Sequence, residues 1–394
     1  MILVANPGSS SRKYALYDDT LQLRAELHIE TVGERLAATL HHHQTTTNVP
    51  LEYSDLAESA SHLTTIFRYH HSIEENETIA TIGLRIVAPS SYFMSDHIIN
   101  DEVVAKLQEV REHAPLHVDA SLEELRRLRE AYPEATVVGV SDSAFHATKP
   151  NYAWNYGIAI HDADQFDIKR FGYHGLSVAA AIDALWDRGK LPPKVVVCHL
   201  GSGSSVTGVF HGRSIDTSMG YSPLEGVIMA SRSGSIDFGA VKALKKNLQM
   251  NDDKIEEYLN RQAGLLGLSG SNDIRELISR EADGNHMAHL ALDTLIHSLH
   301  KAIGSMIVAL NGCDLLVFTG TVGERSAVIR KRIVAHLEFI DFILDGDLND
   351  ACTSPEKLTS VSQAAKSRPI IVIPANESLE IAKHAQTLTR TVTL

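Results

Sequence analysis

The chain has 394 residues, 44% apolar and 22% charged, a balance that fits a folded water-soluble protein and a length that calls for two or three domains. Against 49 Asp and Glu stand 36 Lys and Arg, and the net charge of −13 argues against nucleic acid or an anionic membrane as a partner. The three cysteines, Cys198, Cys313 and Cys352, have no metal-type spacing and are too few for a disulfide framework. No apolar run approaches the roughly 20 residues of a membrane span, and no basic-then-apolar leader opens the chain. A cytoplasmic enzyme is therefore expected, and any anionic ligand must be held by a local cluster of donors and cations.

The first element is a short apolar strand, Ile2 to Ala5, running into "NPGSSSRK". His41, His42 and His43 lie in a polar stretch before Pro50 and read as a solvated loop, with metal binding as the alternative. The spacing of Val103, Val104, Leu107 and Val110 predicts a helix, with Asn100 as N-cap and Pro115 as stop. A second helix follows through Leu122, Leu125 and Leu128, with Asp119 as its cap. The runs "ATVVGVS", "KVVVCHL", "DLLVFTG" and "PIIVIP" read as buried strands, and Met287 to Leu310 as a long helix ended by Asn311 and Gly312. Strands alternating with helices predict an α/β architecture.

Two distant segments share one pattern. "ILVANPGSSSRKYALYDDTLQL" and "VVVCHLGSGSSVTGVFHGRSID" each read as strand, Gly/Ser turn, strand and polar turn, with Gly8 and Gly201 in matching places. Downstream, "VVGVSDSAFH" and "LLVFTGTVGERS" form a second expected pair. The pattern predicts a duplicated α/β domain whose hairpins and strand ends face a shared cleft, with two unrelated hairpins as the alternative. Gly-rich turns let backbone N–H groups approach phosphate, because no Cβ intervenes.

Four constellations carry chemistry. Arg85 sits in the apolar run "GLRIVAPSS", which is costly unless it meets an acid or a polar site. His174 lies in "RFGYHGLS", and Arg232 in the Gly/Ser-rich "DTSMGYSPLEGVIMASRSGSIDFG". Asp142 and Glu377 follow strand ends, where carboxylates anchor Mg²⁺ in phosphoryl-transfer sites. Each has a structural alternative: ion-pair arginines, a satisfied core histidine, a turn-capping Asp142, and a Glu377 that only complements a helix dipole.

The order of "NPGSSSRK", "APLH", "SDSAFH", "GYHG", "CHLGSGSS", "DTSMGYSPLEG", "SRSGSID", "GLLGLSG", "SNDIREL", "VGERS" and "PANESL" resembles the acetate kinase family, acetate and propionate kinases, nearly end to end. The resemblance implies two duplicated ribonuclease-H-like domains, the actin-like fold of sugar kinases and Hsp70, around a central nucleotide cleft. Residues 1–147, joined by helix 376–394, would form the first domain and residues 148–375 the second, which carries nucleotide binding and dimerisation. The implied reaction is reversible transfer of the ATP γ-phosphoryl group to acetate or propionate, with Mg²⁺ or Mn²⁺, in a homodimer.

Carried over position by position, Arg85, Asp142, His174, Arg232 and Glu377 would be catalytic. Asn6, Ser9, Ser11, Lys13, His199, Gly201, Ser202 and Gly203 would meet the phosphates. Asp273, Ile274, Arg275, Gly320, Thr321, Val322, Gly323 and Arg325 would meet the nucleoside. Val87, Leu116, Tyr173 and Pro223 would line the acyl pocket, while Asn6, Asp142 and Glu377 would support the metal. The chain departs from the family pattern at Pro7, at Ala88-Pro89-Ser90 in place of His-Gly-Gly, at Tyr173, Leu176, Val178, Ser202 and Ser235, and at Thr321 and Arg325, which stand where adenine should lie. A non-ATP phosphoryl donor such as pyrophosphate, and a non-catalytic nucleotide-binding homologue, are the competing readings. The Tyr173 hydroxyl, where the family has Phe, is expected to favour a more polar acid.

Overall fold

Strand β1 (Ile2–Pro7) is buried through its first four residues because it lies inside a sheet, flanked on both sides. It pairs antiparallel with β2 (Ser11–Tyr17), which leads through β3 (Leu23–Val32) and β4 (Arg35–His42) to β5 (Thr45–Asn48). On its other side β1 runs parallel to β6 (Thr81–Ile86), which runs parallel to β8 (Thr136–Ser141), with the short β7 (His97–Ile98) at the edge. The sheet order is β5-β4-β3-β2-β1-β6-β8-β7. The structure, a computed structural model, describes residues 1–8, 11–33, 35–42 and 45–392; within these, the side chains of 113, 115–117 and 392 lie outside the description.

The chain divides into two compact units, Met1–Ala144 with Asn376–Leu394, and Phe145–Ala375. In the first, parallel strands require crossovers, and helices Ser59–Tyr69, Asp101–Glu109 and Pro115–Ala131 provide them. The closing helix Glu377–Val392 returns to pack on β1, β6 and β8. Gly83 allows the approach: a Cβ there would stand 2.6 Å from Ile381 Cγ2.

Asn100 caps its helix as expected, accepting from Val103 N at 3.0 Å. Pro115 does not stop that helix, which ends at Glu109; it opens the next one, where its missing N–H costs nothing. Asp119 is consequently inside the second helix and pairs with Arg111 instead of capping. His41 and His42 are in strand β4, not a loop, with His41 Nδ1 2.9 Å from Thr46 Oγ1 across the β4–β5 pair. His43 falls outside the described residues.

The second unit repeats the topology. Strand β9 (Lys194–Leu200) pairs antiparallel with β10 (Ser204–Phe210), followed by β11 (Arg213–Thr217). It also runs parallel to β12 (Leu315–Thr319), which runs parallel to β14 (Ile370–Val372), with β13 (Thr359–Ser360) at the edge. The order β11-β10-β9-β12-β14-β13 matches β3-β2-β1-β6-β8-β7 strand for strand. The hairpins are equivalent, as the repeat predicts, but the second expected pair is offset by one strand. β12 corresponds to β6, the strand of Arg85, and β8 to β14, because the parallel neighbour of each hairpin comes earlier in its chain order.

Alternation along β9 sorts the core of this unit. Val196 and Cys198 meet Leu292, Leu295, Leu299 and Ile303 of helix His286–Ala309, while Val195 and Val197 meet Val178, Ile182 and Leu185 of helix Gly175–Trp186.

A buried ion pair ties the first hairpin down. Arg12 Nε donates to Glu124 Oε2 at 2.9 Å, and Tyr14 Oη to Glu124 Oε1 at 2.7 Å. Arg12 Nη1 also donates to the carbonyls of Gly8 and Ser11. Burial pushes the Glu124 carboxyl up, and its bonds to Tyr14 and Arg12 oppose the rise. Glu124→Ala, which strands a buried guanidinium, is expected to cost about 3–5 kcal/mol in urea unfolding; a loss below about 1 kcal/mol would contradict this account.

Candidate active site

In the first unit four predicted residues meet at the C-terminal ends of three adjacent parallel strands, where open α/β sheets place ligands. Asn6 is near the end of β1, Arg85 near the end of β6, and Asp142 just past β8. Glu377 is the first residue of the closing helix, where the dipole favours a carboxylate. Arg85 Nη2 donates to Asp142 Oδ2 at 2.9 Å, and Arg85 Nη1 to Asn6 Oδ1 at 3.2 Å. The same Asn6 amide donates through Nδ2 to Glu377 Oε2 at 3.1 Å.

Burial works against the Arg85 charge, yet the Asp142 and Glu377 carboxylates hold its pKa above the ordinary value. The ion-pair reading of Arg85 is thus realised, and it places the cation at a strand end. Lys13 is exposed directly opposite Asn6, on the same face of the sheet. Ser11 opens β2, while Ser9 lies outside the described residues. Val87 is buried just after β6, and Leu116 is in helix Pro115–Ala131 with its side chain outside the description.

In the second unit a different set converges on the turn between β9 and β10. His174 adopts a left-handed conformation (φ 59°) at the start of helix Gly175–Trp186. Its Nδ1 lies 3.1 Å from Ser205 Oγ, and His199 Nδ1 lies 2.7 Å from Ser177 Oγ. The two rings are 4.2 Å apart. With each Nδ1 engaged by a serine, the Nε2 atoms border the Gly201–Ser202–Gly203 turn. A Cβ on Gly203 would stand 3.0 Å from His174 Nε2 and 3.4 Å from Arg232 Nη1; one on Gly201 would stand 3.7 Å from His199 Nε2. Glycine is what allows two cationic or hydrogen-bonding groups to crowd this turn.

The Arg232 loop is fastened to the same turn, with Ala230 N donating to Ser202 O at 3.2 Å. Arg232 Nη1 lies 3.5 Å from Pro223 O, and Tyr173 Oη donates to Tyr221 O at 2.6 Å. Pro223 and Tyr173 are both buried. His174 is accordingly a buried histidine with a serine partner on one nitrogen and the Gly203 turn beside the other. Helix Gly320–Arg325 starts against the end of β9: Gly320 has φ +79°, and a Cβ there would fall 2.7 Å from Leu200 O. Within this helix Val322 is half-buried and Gly323 buried, while Thr321 and Arg325 are exposed.

Asp273 caps helix Ile274–Ala282, accepting from Arg275 N at 2.8 Å. Its carboxyl is lowered to about 2, chiefly by the Arg275 side chain 2.6 Å away.

Sequence reasoning missed the supports. Ser177 and Ser205 orient the two histidines, and both sit inside motifs already singled out. Arg330 is fully buried and makes five hydrogen bonds: to the carbonyls of Gly323, Glu324, Asn349 and Cys352 and to Asn349 Oδ1. It thereby holds the end of helix Gly320–Arg325, and nothing in the basic triplet Arg330-Lys331-Arg332 marks which cation is buried.

A duplicated α/β topology with arginine, histidine and carboxylate groups gathered at glycine turns and strand ends defines a phosphotransferase of the actin-like fold class. The model of the acetokinase family matches residues 1–383. The acetate kinase of Carboxydothermus hydrogenoformans is 36% identical over 391 residues, covering 97% of each chain. Among solved structures, a propionate kinase from Francisella tularensis superimposes with a TM-score of 0.89 at 34% identity, covering 98% of this chain and 99% of its own. The acetate kinase of Porphyromonas gingivalis gives 0.86 at 28% identity, with 98% and 99% covered. The chain belongs to the acetokinase family.

Gly203→Ala tests the crowding at the second turn. The added methyl would push on His174 Nε2 and Arg232 Nη1 in a surface turn. Turnover is expected to fall by about 10-fold or more while the melting temperature stays within about 2 °C. Unchanged turnover would show that the turn has slack.

Proposed function

We propose that the chain is a carboxylate kinase that transfers the γ-phosphoryl group of ATP to a short-chain acid, acetate or propionate, giving an acyl phosphate and ADP. The observation that carries this reading is the convergence of His174, His199 and Arg232 on the Gly201–Gly203 turn, in a chain of the acetokinase family. A carboxylate is already a nucleophile, so the reaction needs positioning and charge neutralisation more than a base. One carboxylate oxygen forms a bond to phosphorus as the bond from phosphorus to the β,γ-bridging oxygen breaks, and ADP leaves with that electron pair.

In this reading Arg232 and His174 bind the moving phosphoryl group, whose charge spreads over its equatorial oxygens in the transition state. His199 and the Gly201–Gly203 turn meet the phosphates, as do Lys13 and Ser11. Arg85 offsets the repulsion between two anionic reactants. Asn6, Asp142 and Glu377 offer hard oxygen donors of the type Mg²⁺ takes beside substrate phosphates, and they fit that ion. When bound, the ion would neutralise phosphate charge. Asp273, Ile274, Arg275 and helix Gly320–Arg325 are proposed for the nucleoside, and Val87, Leu116, Tyr173 and Pro223 for the acyl group.

No helix of the described residues is long and apolar enough to cross a membrane. A homodimer in the cytoplasm belongs to the same proposal, supported by family membership and by exposed apolar side chains of the second unit such as Tyr152, Phe166 and Phe238.

A hydroxamate assay over a panel of acids and donors tests the reading. Acetate or propionate with ATP is expected to give product, and Arg232→Ala is expected to lower the rate by about 10²–10³-fold. Turnover with pyrophosphate but not ATP would replace the donor, and nucleotide binding without turnover by any pair would make the chain non-catalytic.

Tyr173 deserves a different expectation from the one its hydroxyl invites. The single hydroxyl proton goes to Tyr221 O, so it is not offered to a polar acid. Tyr173→Phe is expected to leave the preference among acetate, propionate and their hydroxy acids within about twofold; loss of activity toward hydroxy acids alone would restore the pocket-donor reading.

A further inference from the structure

The closing helix carries a second feature beyond Glu377. His384 lies seven residues after it, at 377 and 384 on one helix, so the two side chains share a face about two turns apart. His384 Nδ1 is 2.6 Å from Asp96 Oδ2, and His384 Nε2 is 3.2 Å from Glu380 Oε1. With a carboxylate on each nitrogen, both ring nitrogens donate and the ring is an imidazolium. The two acids push its pKa up to about 10 against the effect of burial. Lys383 Nζ also faces Glu380, 3.4 Å from its other oxygen.

Asp96 uses its remaining oxygen on the main chain beside the site. Its Oδ1 accepts from Ser141 N at 2.8 Å, and Ser141 is the last residue of β8, directly before Asp142. Ser141 Oγ donates to Phe93 O and accepts from Ser143 N at 3.1 Å, while Asp142 N donates to Ile86 O at 2.9 Å. The segment bearing Asp142 is thus fastened on both sides.

These contacts close a ring. Asp142 bonds Arg85, Arg85 bonds Asn6, and Asn6 bonds Glu377. Glu377 is joined through two helical turns to His384, then through Asp96 to Ser141 and back to Asp142. We infer that His384 is a positioning residue, which sets the separation of the Asp142 and Glu377 carboxylates by clamping the closing helix to the end of β8. It touches no reacting group. It acts by fixing the helix along its axis at the end of β8, as Gln386 Nε2, donating to Asp19 O at 2.9 Å, does further along the helix.

The inference rests on the carboxylate-kinase reading for its kinetic consequence, and the test separates the two. Wild type, His384→Gln, Asp96→Asn and the double variant are compared as full chains, well below their melting temperatures. His384→Gln is expected to lower kcat by about 10–100-fold with KM for acid and nucleotide within about threefold, because small misplacement costs rate more than binding. Because both groups act through one relay, the double variant should be no slower than the slower single variant. Wild-type kcat in folded His384→Gln, with only a lower melting temperature, would overturn the inference, as would kcat losses that multiply. Should His384→Gln fail to fold, Asp96→Asn, which keeps an acceptor for Ser141 N, carries the same comparison.

Absence of turnover in the wild type refutes the kinase reading instead. In that case hydrogen exchange still reads the ring: residues 139–144 and 375–380 should both exchange faster in His384→Gln. Faster exchange in the helix alone would break the link.

Discussion

A guanidinium at the end of a central strand has to be paired, and the way Arg85 is paired organises the first unit. Asp142 comes from the next parallel strand, Asn6 from the preceding one, and Glu377 from a helix that returns across the whole second unit of sequence. Strand order, not proximity in the chain, brings them together. Desolvating these charges is costly, so the bonds that Arg85 makes to Asp142 and Asn6 are required to offset that cost. That requirement explains why the supporting contacts are so specific: an amide that accepts from the cation with one atom and donates to the second carboxylate with the other does both jobs in one side chain.

The second unit solves a related problem with fewer charges. His174 and His199 lie with their ring centres 4.2 Å apart and their planes tilted by 35°, and each is turned by a serine, so that their outer nitrogens border one glycine turn. Arg232 reaches the same turn on a loop fastened to Ser202 O. The acidic chain therefore carries local donor clusters on a repeated scaffold: the topology is duplicated, while the side chains at the strand ends have diverged into a carboxylate-rich set in one copy and a histidine–arginine set in the other.

Much of this was legible in the sequence. Runs such as "KVVVCHL" lie on doubly covered strands and show it by continuous apolar character. Arg85, His174, Arg232, Asp142 and Glu377 stood out because each is polar where an apolar run or a glycine turn leaves it exposed to notice. The errors have physical causes. Pro115 ends a helix pattern and begins one equally well, so only the backbone decides. The second repeat pair was offset because sequence does not say which parallel strand lies next to a hairpin. Glu124 was invisible as the partner of Arg12, since 112 residues separate them. The acceptor of the Tyr173 hydroxyl is likewise out of sight in the sequence, since a main-chain carbonyl leaves no trace in residue identity.

The central claim is that a carboxylate oxygen attacks phosphorus directly. Acetate labelled with ¹⁸O in both oxygens, incubated with unlabelled ATP, reads this in the ³¹P spectrum of the acyl phosphate. The account predicts the upfield isotope shift of one ¹⁸O bonded to phosphorus. An acyl phosphate whose phosphorus carries no label, or ATP consumed without acyl phosphate, would contradict it.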